Sequence, residues 1–104
     1  MPSSRYTVFL QSLLLAAILA VAGCQTAPPV QEMSDARQAI AAAEEAGAAE
    51  HAPADLAAAM GYLASAEQSI SAKRYAEARR DAMQAKSMAF TAIRRSERET
   101  EKEP

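Results

Sequence analysis

Apolar positions follow two different patterns along the chain. Residues 13–22 form an unbroken run of leucine, isoleucine, valine and alanine. From residue 32 onward, single large apolar side chains are set at intervals of three and four in a background of alanine and charge, which is the period of a helix with one buried side. Met33, Ala36, Ile40 and Ala43 make the first stripe. Leu56, Ala59, Met60, Leu63, Ala66 and Ile70 make the second, and Tyr75, Ala78, Ala82, Ala85, Ala89 and Ile93 the third. Alanine has the best intrinsic helix propensity, so the polar remainder of each segment supports the same reading.

Breaks between the stripes carry helix punctuation. Ser34 is a good N-cap residue, and Asp35 behind it is favoured by the helix dipole. Gly47 is placed to end the first helix, and Pro53 fits the first position of the second. Residues 71–74 separate the second helix from the third. The pattern predicts an all-α, short three-helix domain over residues 32–95. Its second and third helices form an antiparallel hairpin whose alanine seam lets the axes approach to about 8 Å. A turn centred near Lys73 places Leu63 near Met83 and Glu67 near Arg79. Gly61 weakens the second helix by about 1 kcal/mol. Residues 96–104 read as a charged tail, with Arg95–Glu99 and Glu99–Lys102 spaced for side-chain pairing. So few large apolar residues make only a thin core, which implies marginal stability or association into a homo-oligomer.

The N-terminal apolar run belongs to a different device. Arg5 precedes it and small residues follow, the layout of a signal peptide over residues 1–23. A transmembrane helix needs about 20 apolar residues, and Gln11 and Ser12 interrupt this run well short of that. Val21, Ala22, Gly23 and Cys24 resemble the lipobox of bacterial lipoproteins. That resemblance implies cleavage before Cys24, a diacylglyceryl group on its sulfur and acylation of its new amino end. Three acyl chains would hold the protein permanently on a membrane, whereas one holds weakly. Gln25 stands where, in the enterobacterial sorting rule, an aspartate would resemble an inner-membrane retention signal, so an outer-membrane anchor facing the periplasm is expected. Residues 24–31, with Pro28 and Pro29, then read as a lipidated cysteine and an extended spacer reaching on the order of 20 Å.

Charge refines the picture of partners. The chain has 11 basic and 13 acidic residues, a net charge of −2. Before residue 73 the exported part carries Glu32, Asp35, Glu44, Glu45, Glu50, Asp55 and Glu67 against Arg37, whereas the third helix is basic. The two halves should attract. At 100° per residue, Arg79, Arg80, Lys86, Arg94 and Arg98 flank Met83 and Phe90 on a side away from the alanine seam. That face is a candidate surface for an envelope protein or an anionic cell-wall polymer. The competing expectation is that the first helix packs over Met83 and Phe90 as core. Export removes nucleic acid from the partners in view.

Candidate chemistry is sparse. His51 is the single histidine, with Glu50 and Asp55 nearby, but a zinc site wants at least three protein ligands, so a solvent-facing corner histidine is expected instead. Glu44 and Glu45 diverge by about 100° around a helix and cannot converge on one substrate. Cys24, the single cysteine, is assigned to lipid. No nucleophile–base spacing or phosphate-binding glycine loop is present. No enzyme activity, metal or cofactor is expected.

The stretches 34–40 (SDARQAI), 46–56 (AGAAEHAPADL) and 74–80 (RYAEARR) together resemble the alanine-rich envelope family catalogued as domain of unknown function 4398. The likeness runs over roughly residues 34–95. It implies a short helical lipoprotein, or a helical head of the kind joined elsewhere to a peptidoglycan-binding domain, and it brings no catalytic residues. Residues 74–78 also resemble the inner turn of a tetratricopeptide unit, but such arrays need about three stacked units. The expected role is a non-enzymatic, outer-membrane-anchored interaction or envelope-maintenance module. A structural linker touching peptidoglycan or lipopolysaccharide is the alternative.

Overall fold

The structure is a computed structural model that describes residues 3–25 and 27–102, with the side chains of 4–16 and 27–102. Five helices and no strand occur among the described residues: α1 (Ser3–Gln25), α2 (Val30–Glu45), α3 (Ala48–His51), α4 (Pro53–Ser71) and α5 (Tyr75–Glu101). The described side chains of α1 are all exposed. Among the described residues no helix is long and apolar enough to cross a membrane.

Helix α2 begins earlier than its sequence indicates. Pro29, not Ser34, occupies the N-cap position, and the Met33 amide donates to the Pro29 carbonyl at 3.0 Å. Proline has no amide hydrogen to leave unpaired there, so a helix can start directly behind it. Pro29 is itself fully buried. Pro29 is therefore part of the domain while Ala27 and Pro28 stay exposed, and Ser34 sits inside the helix, where its hydroxyl accepts from the Gln38 side chain at 3.3 Å.

At the other end of α2 the chain turns through Gly47, whose φ of +84° is left-handed. The Gly47 amide donates to the Glu44 carbonyl at 3.0 Å, closing the last turn in the way glycine does most cheaply. One turn of helix, α3, follows. Ala52 then redirects the chain, and Pro53 stands in the first turn of α4 as expected.

The α4–α5 turn is a Schellman motif without glycine. Arg74 N–H donates to the Ser69 carbonyl at 2.8 Å and Lys73 N–H to the Ile70 carbonyl at 2.9 Å, with Lys73 at φ +61°. A lysine in this conformation costs about 1–2 kcal/mol relative to right-handed backbone, which the two capped carbonyls and the hairpin packing offset.

Ion pairs fix how the helices run. Glu32 pairs with Arg79 at 3.2 Å and Asp35 with Lys86 at 3.9 Å, so α2 and α5 are parallel neighbours. Arg37 pairs with Glu67 at 3.5 Å and Asp55 with Arg95 at 3.0 Å, so α4 runs antiparallel to both. The acidic and basic halves of the sequence do meet across the bundle. Glu67 and Arg79 stand at matching heights on the hairpin, yet each turns toward α2 instead of toward the other. Arg95 likewise reaches Asp55, while Glu99 takes Lys102 at 3.5 Å.

α5 is the centre of the bundle. Ala78, Ala82, Ala85, Ala89 and Ala92 are fully buried, as are Ala36 and Ala43 of α2 and Ala59 and Ala66 of α4. Around this alanine floor stand two apolar clusters, one with Met33 near the hairpin turn and one with Ile40 and Leu56 near the α2–α4 corner. Leu63 packs against both. Met60, assigned to the second stripe, is 45% exposed instead. It lies at the stripe's edge, and side chains as short as alanine let α4 approach too closely for a wide face to be covered. The tail beyond Ile93 continues as helix. Ser96 is fully buried, with its hydroxyl donating to the Ala92 carbonyl at 2.8 Å.

Candidate functional site

The basic side of α5 carries an open groove. Met83 and Phe90 lie two helical turns apart on the same side, and both point out of the alanine floor at 58% and 43% exposure. α2 packs on α5 through Ala36, clustered with Ala82 and Ala85, and Ala39, clustered with Ala89 and Ala92, and leaves Phe90 partly open. The sequence left two fates for these residues, core under the first helix or free face. The structure places α2 beside them, not over them.

A groove of about 460 Å³ follows from this offset. Met83 and Phe90 form its apolar floor, Lys86 and Arg94 one border, and Glu32 and Asp35 of α2 the other. A second hollow of about 310 Å³ extends it along α2 past Gln38, Ala39 and Ala42. Lys86 ties the parts together. Its ammonium stands 5.8 Å from the Phe90 ring centre, within cation–π range, and 3.9 Å from an Asp35 carboxylate oxygen.

Of the seven residues of the expected partner face, four line the groove, and Arg79, Arg80 and Arg98 do not. Met83, Lys86, Phe90 and Arg94 line the groove. Arg79 is drawn away by its ion pair with Glu32 and is only partly exposed. Arg80 is exposed outside the groove. Sequence reasoning missed Glu32 and Asp35, which give the groove an acidic wall. A helical wheel of α5 cannot contain them, because they arrive from α2.

No catalytic constellation is formed by the described residues. Glu44 and Glu45 are exposed, and no group of three His, Cys, Asp or Glu residues among them could hold a metal. His51 is not the solvent-facing corner residue expected. Its side chain is 19% exposed and lies 3.9 Å from the Glu50 carboxylate. It folds back over Gly47, with Cδ2 only 3.3 Å from where a β-carbon at that position would be. The left-handed turn, itself possible because Gly47 lacks a side chain, makes the space that the imidazole fills. Val21, Ala22, Gly23 and Cys24 fall in α1, and their side chains lie outside the described residues.

The family model described as Domain of unknown function (DUF4398) matches residues 31–103. The chain belongs to this family. The matched segment takes in almost all of α2 and the whole of α3, α4 and α5, so the family resemblance seen in the sequence extends to both ends of the bundle. No curated protein and no solved structure matches the chain.

Proposed function

We propose that this protein is a lipid-anchored module of the outer membrane, held through Cys24 and facing the periplasm, that works by binding a partner and not by catalysis. The observation that carries the binding role is the exposure of Met83 and Phe90. In a domain whose core is mostly alanine, two of its few large apolar side chains are left in an open, charge-rimmed groove instead of filling that core. Covering both would take apolar surface out of water, a favourable contribution of about 25 cal/mol per Å² covered. Lys86 and Arg94 on one rim and Glu32 and Asp35 on the other fit a segment of an envelope protein that carries both charge signs around an apolar anchor.

The anchor rests on the lipobox resemblance and on the run of small residues before Cys24. Cys24→Ser should leave the leader uncleaved and the protein without lipid label, because the thioether cannot form. A Cys24→Ser protein that still fractionated as a processed, lipid-labelled species would refute the anchor.

The groove is tested by a photo-crosslinking residue at Met83 in intact cells, with the same residue at Glu45 as a surface control. A discrete protein adduct at Met83 that is absent at Glu45 is the expected result. A polymer ladder would indicate cell-wall contact instead, and equal adducts at both positions would remove the groove as a binding surface.

A further inference from the structure

The ion pairs that orient the helices also place two distant parts of the chain at one end of the bundle. Glu32 against Arg79 and Arg37 against Glu67 put the start of α2 beside the α4–α5 turn, at residues 71–75. The other end holds the Gly47 corner with Glu44, Glu45 and Glu50, all exposed, together with the end of α5, where Arg95, Arg98 and Lys102 stand among Glu97, Glu99 and Glu101. The turn end presents Lys73 and Arg74, with Glu77 beside Arg74.

The length of the tether decides which end meets the membrane. Because Pro29 is fully buried and α2 starts at Val30, only residues 25–28 separate Cys24 from the packed domain. Five residue steps from Cys24 to Pro29 reach at most about 18 Å. The turn beside the start of α2 is about one helix spacing further on, roughly 8–10 Å.

We infer that the α4–α5 turn, through Lys73 and Arg74, docks on the anionic phospholipid surface of the membrane that holds Cys24, so that the domain stands on its turn with the Gly47 corner outward. The inference rests on the proposed lipid anchor. Lys73 and Arg74 are both exposed, and among the described residues Lys73 makes no ion pair, while Arg74 has only a loose one to Glu77 at 3.7 Å. Val30, 73% exposed at the same end, adds an apolar contact. Two cations held near anionic headgroups favour this contact on the order of thirtyfold. The left-handed backbone at Lys73 fits this use: the turn carries a cation where glycine would cost less.

The experiment uses the full chain, extracted from membranes, with intact mass reporting the acyl chains on Cys24. Acylation leaves no free thiol, so a single new cysteine at Ala72 or at Glu45 takes an environment-sensitive fluorophore. Each labelled protein is placed in vesicles of phosphatidylcholine with or without phosphatidylglycerol, and a headgroup spin label quenches the fluorophore. The expected result is severalfold stronger quenching at Ala72 than at Glu45 in phosphatidylglycerol vesicles. The difference should shrink with added salt, and in the double variant Lys73→Gln, Arg74→Gln with unchanged helical circular dichroism. A mass without acyl chains overturns the anchor and the orientation together. A lipidated protein quenched equally at the two sites, or with a difference indifferent to salt, overturns the orientation alone.

Discussion

Replacing Ala85 with leucine tests the central physical feature of this domain. Ala85 is fully buried on α5, clustered with Met33 and Ala36 of α2 and Ala66 of α4. Were there space, the added carbons would gain about 0.8 kcal/mol per methylene on leaving water. Here the cluster includes Ala36 and Ala66, which have no side chain to move aside, so although Met33 can shift, the helices must separate. A gap of 0.5–1 Å already forfeits a quarter to a half of each dispersion contact lining it, about 0.1–0.2 kcal/mol apiece at full depth. Overpacking of cores typically costs about 1–3 kcal/mol, and this site falls at the upper end because it lies between two helices at once. A folded part of this size has a total stability of roughly 4–10 kcal/mol, at about 0.05–0.15 kcal/mol per residue. Ala85→Leu should therefore lower the melting temperature by on the order of 10–20 °C. Thermal unfolding followed by far-ultraviolet circular dichroism measures it. Ala64→Leu, at an exposed position of α4, makes the same chemical change and should stay within about 0.5 kcal/mol of the parent. Equal melting of the two variants would refute the close alanine contact.

The remaining predictions concern backbone and groove. Gly61→Ala should stabilise by about 1 kcal/mol, since a β-carbon there meets nothing within 4 Å and helix propensity alone changes; a lower melting temperature would contradict the α4 geometry. Gly47→Ala should destabilise by about 1–2 kcal/mol, because φ is +84° and the His51 ring must also give way. Lys73→Gly should raise stability by about 0.5–1 kcal/mol in denaturant titrations by relieving the left-handed lysine, less the entropy glycine adds to the unfolded chain. Phe90→Ala should cost only about 1–2 kcal/mol, below the 3–5 kcal/mol of a fully buried ring, while abolishing the Met83 crosslink; a core-sized loss would mean that the groove is closed.

Much of the fold is legible in the residues because its causes are local. Met33, Ala36, Ile40 and Ala43 share one side of a helix whatever that helix packs against, and each is buried. Gly47 and Pro53 turn and restart the chain for reasons internal to their own backbones. The start of α2 was misread because Ser34 and Pro29 are both competent helix starts, and the choice falls to Pro29 only when its burial against the bundle is counted. Counting along the hairpin likewise gives height but not rotation. It correctly set Glu67 level with Arg79 but could not tell that α2 offers each a different partner.

The groove shows the same division. Sequence periodicity alone determined that Met83, Lys86, Phe90 and Arg94 share one side of a basic helix, because angular position along α5 is a property of the α5 sequence. Whether that side is core or surface was left to the tertiary structure. It depends on the lateral offset of α2, which is set by the fit of Ala36 and Ala39 against the alanine floor and by the Glu32–Arg79 and Asp35–Lys86 pairs. Those contacts join residues about fifty positions apart, and no helical period carries information over such a separation. Propensity and pattern act within a few turns of chain, whereas the exposure of Phe90 is decided by where a separate helix comes to rest.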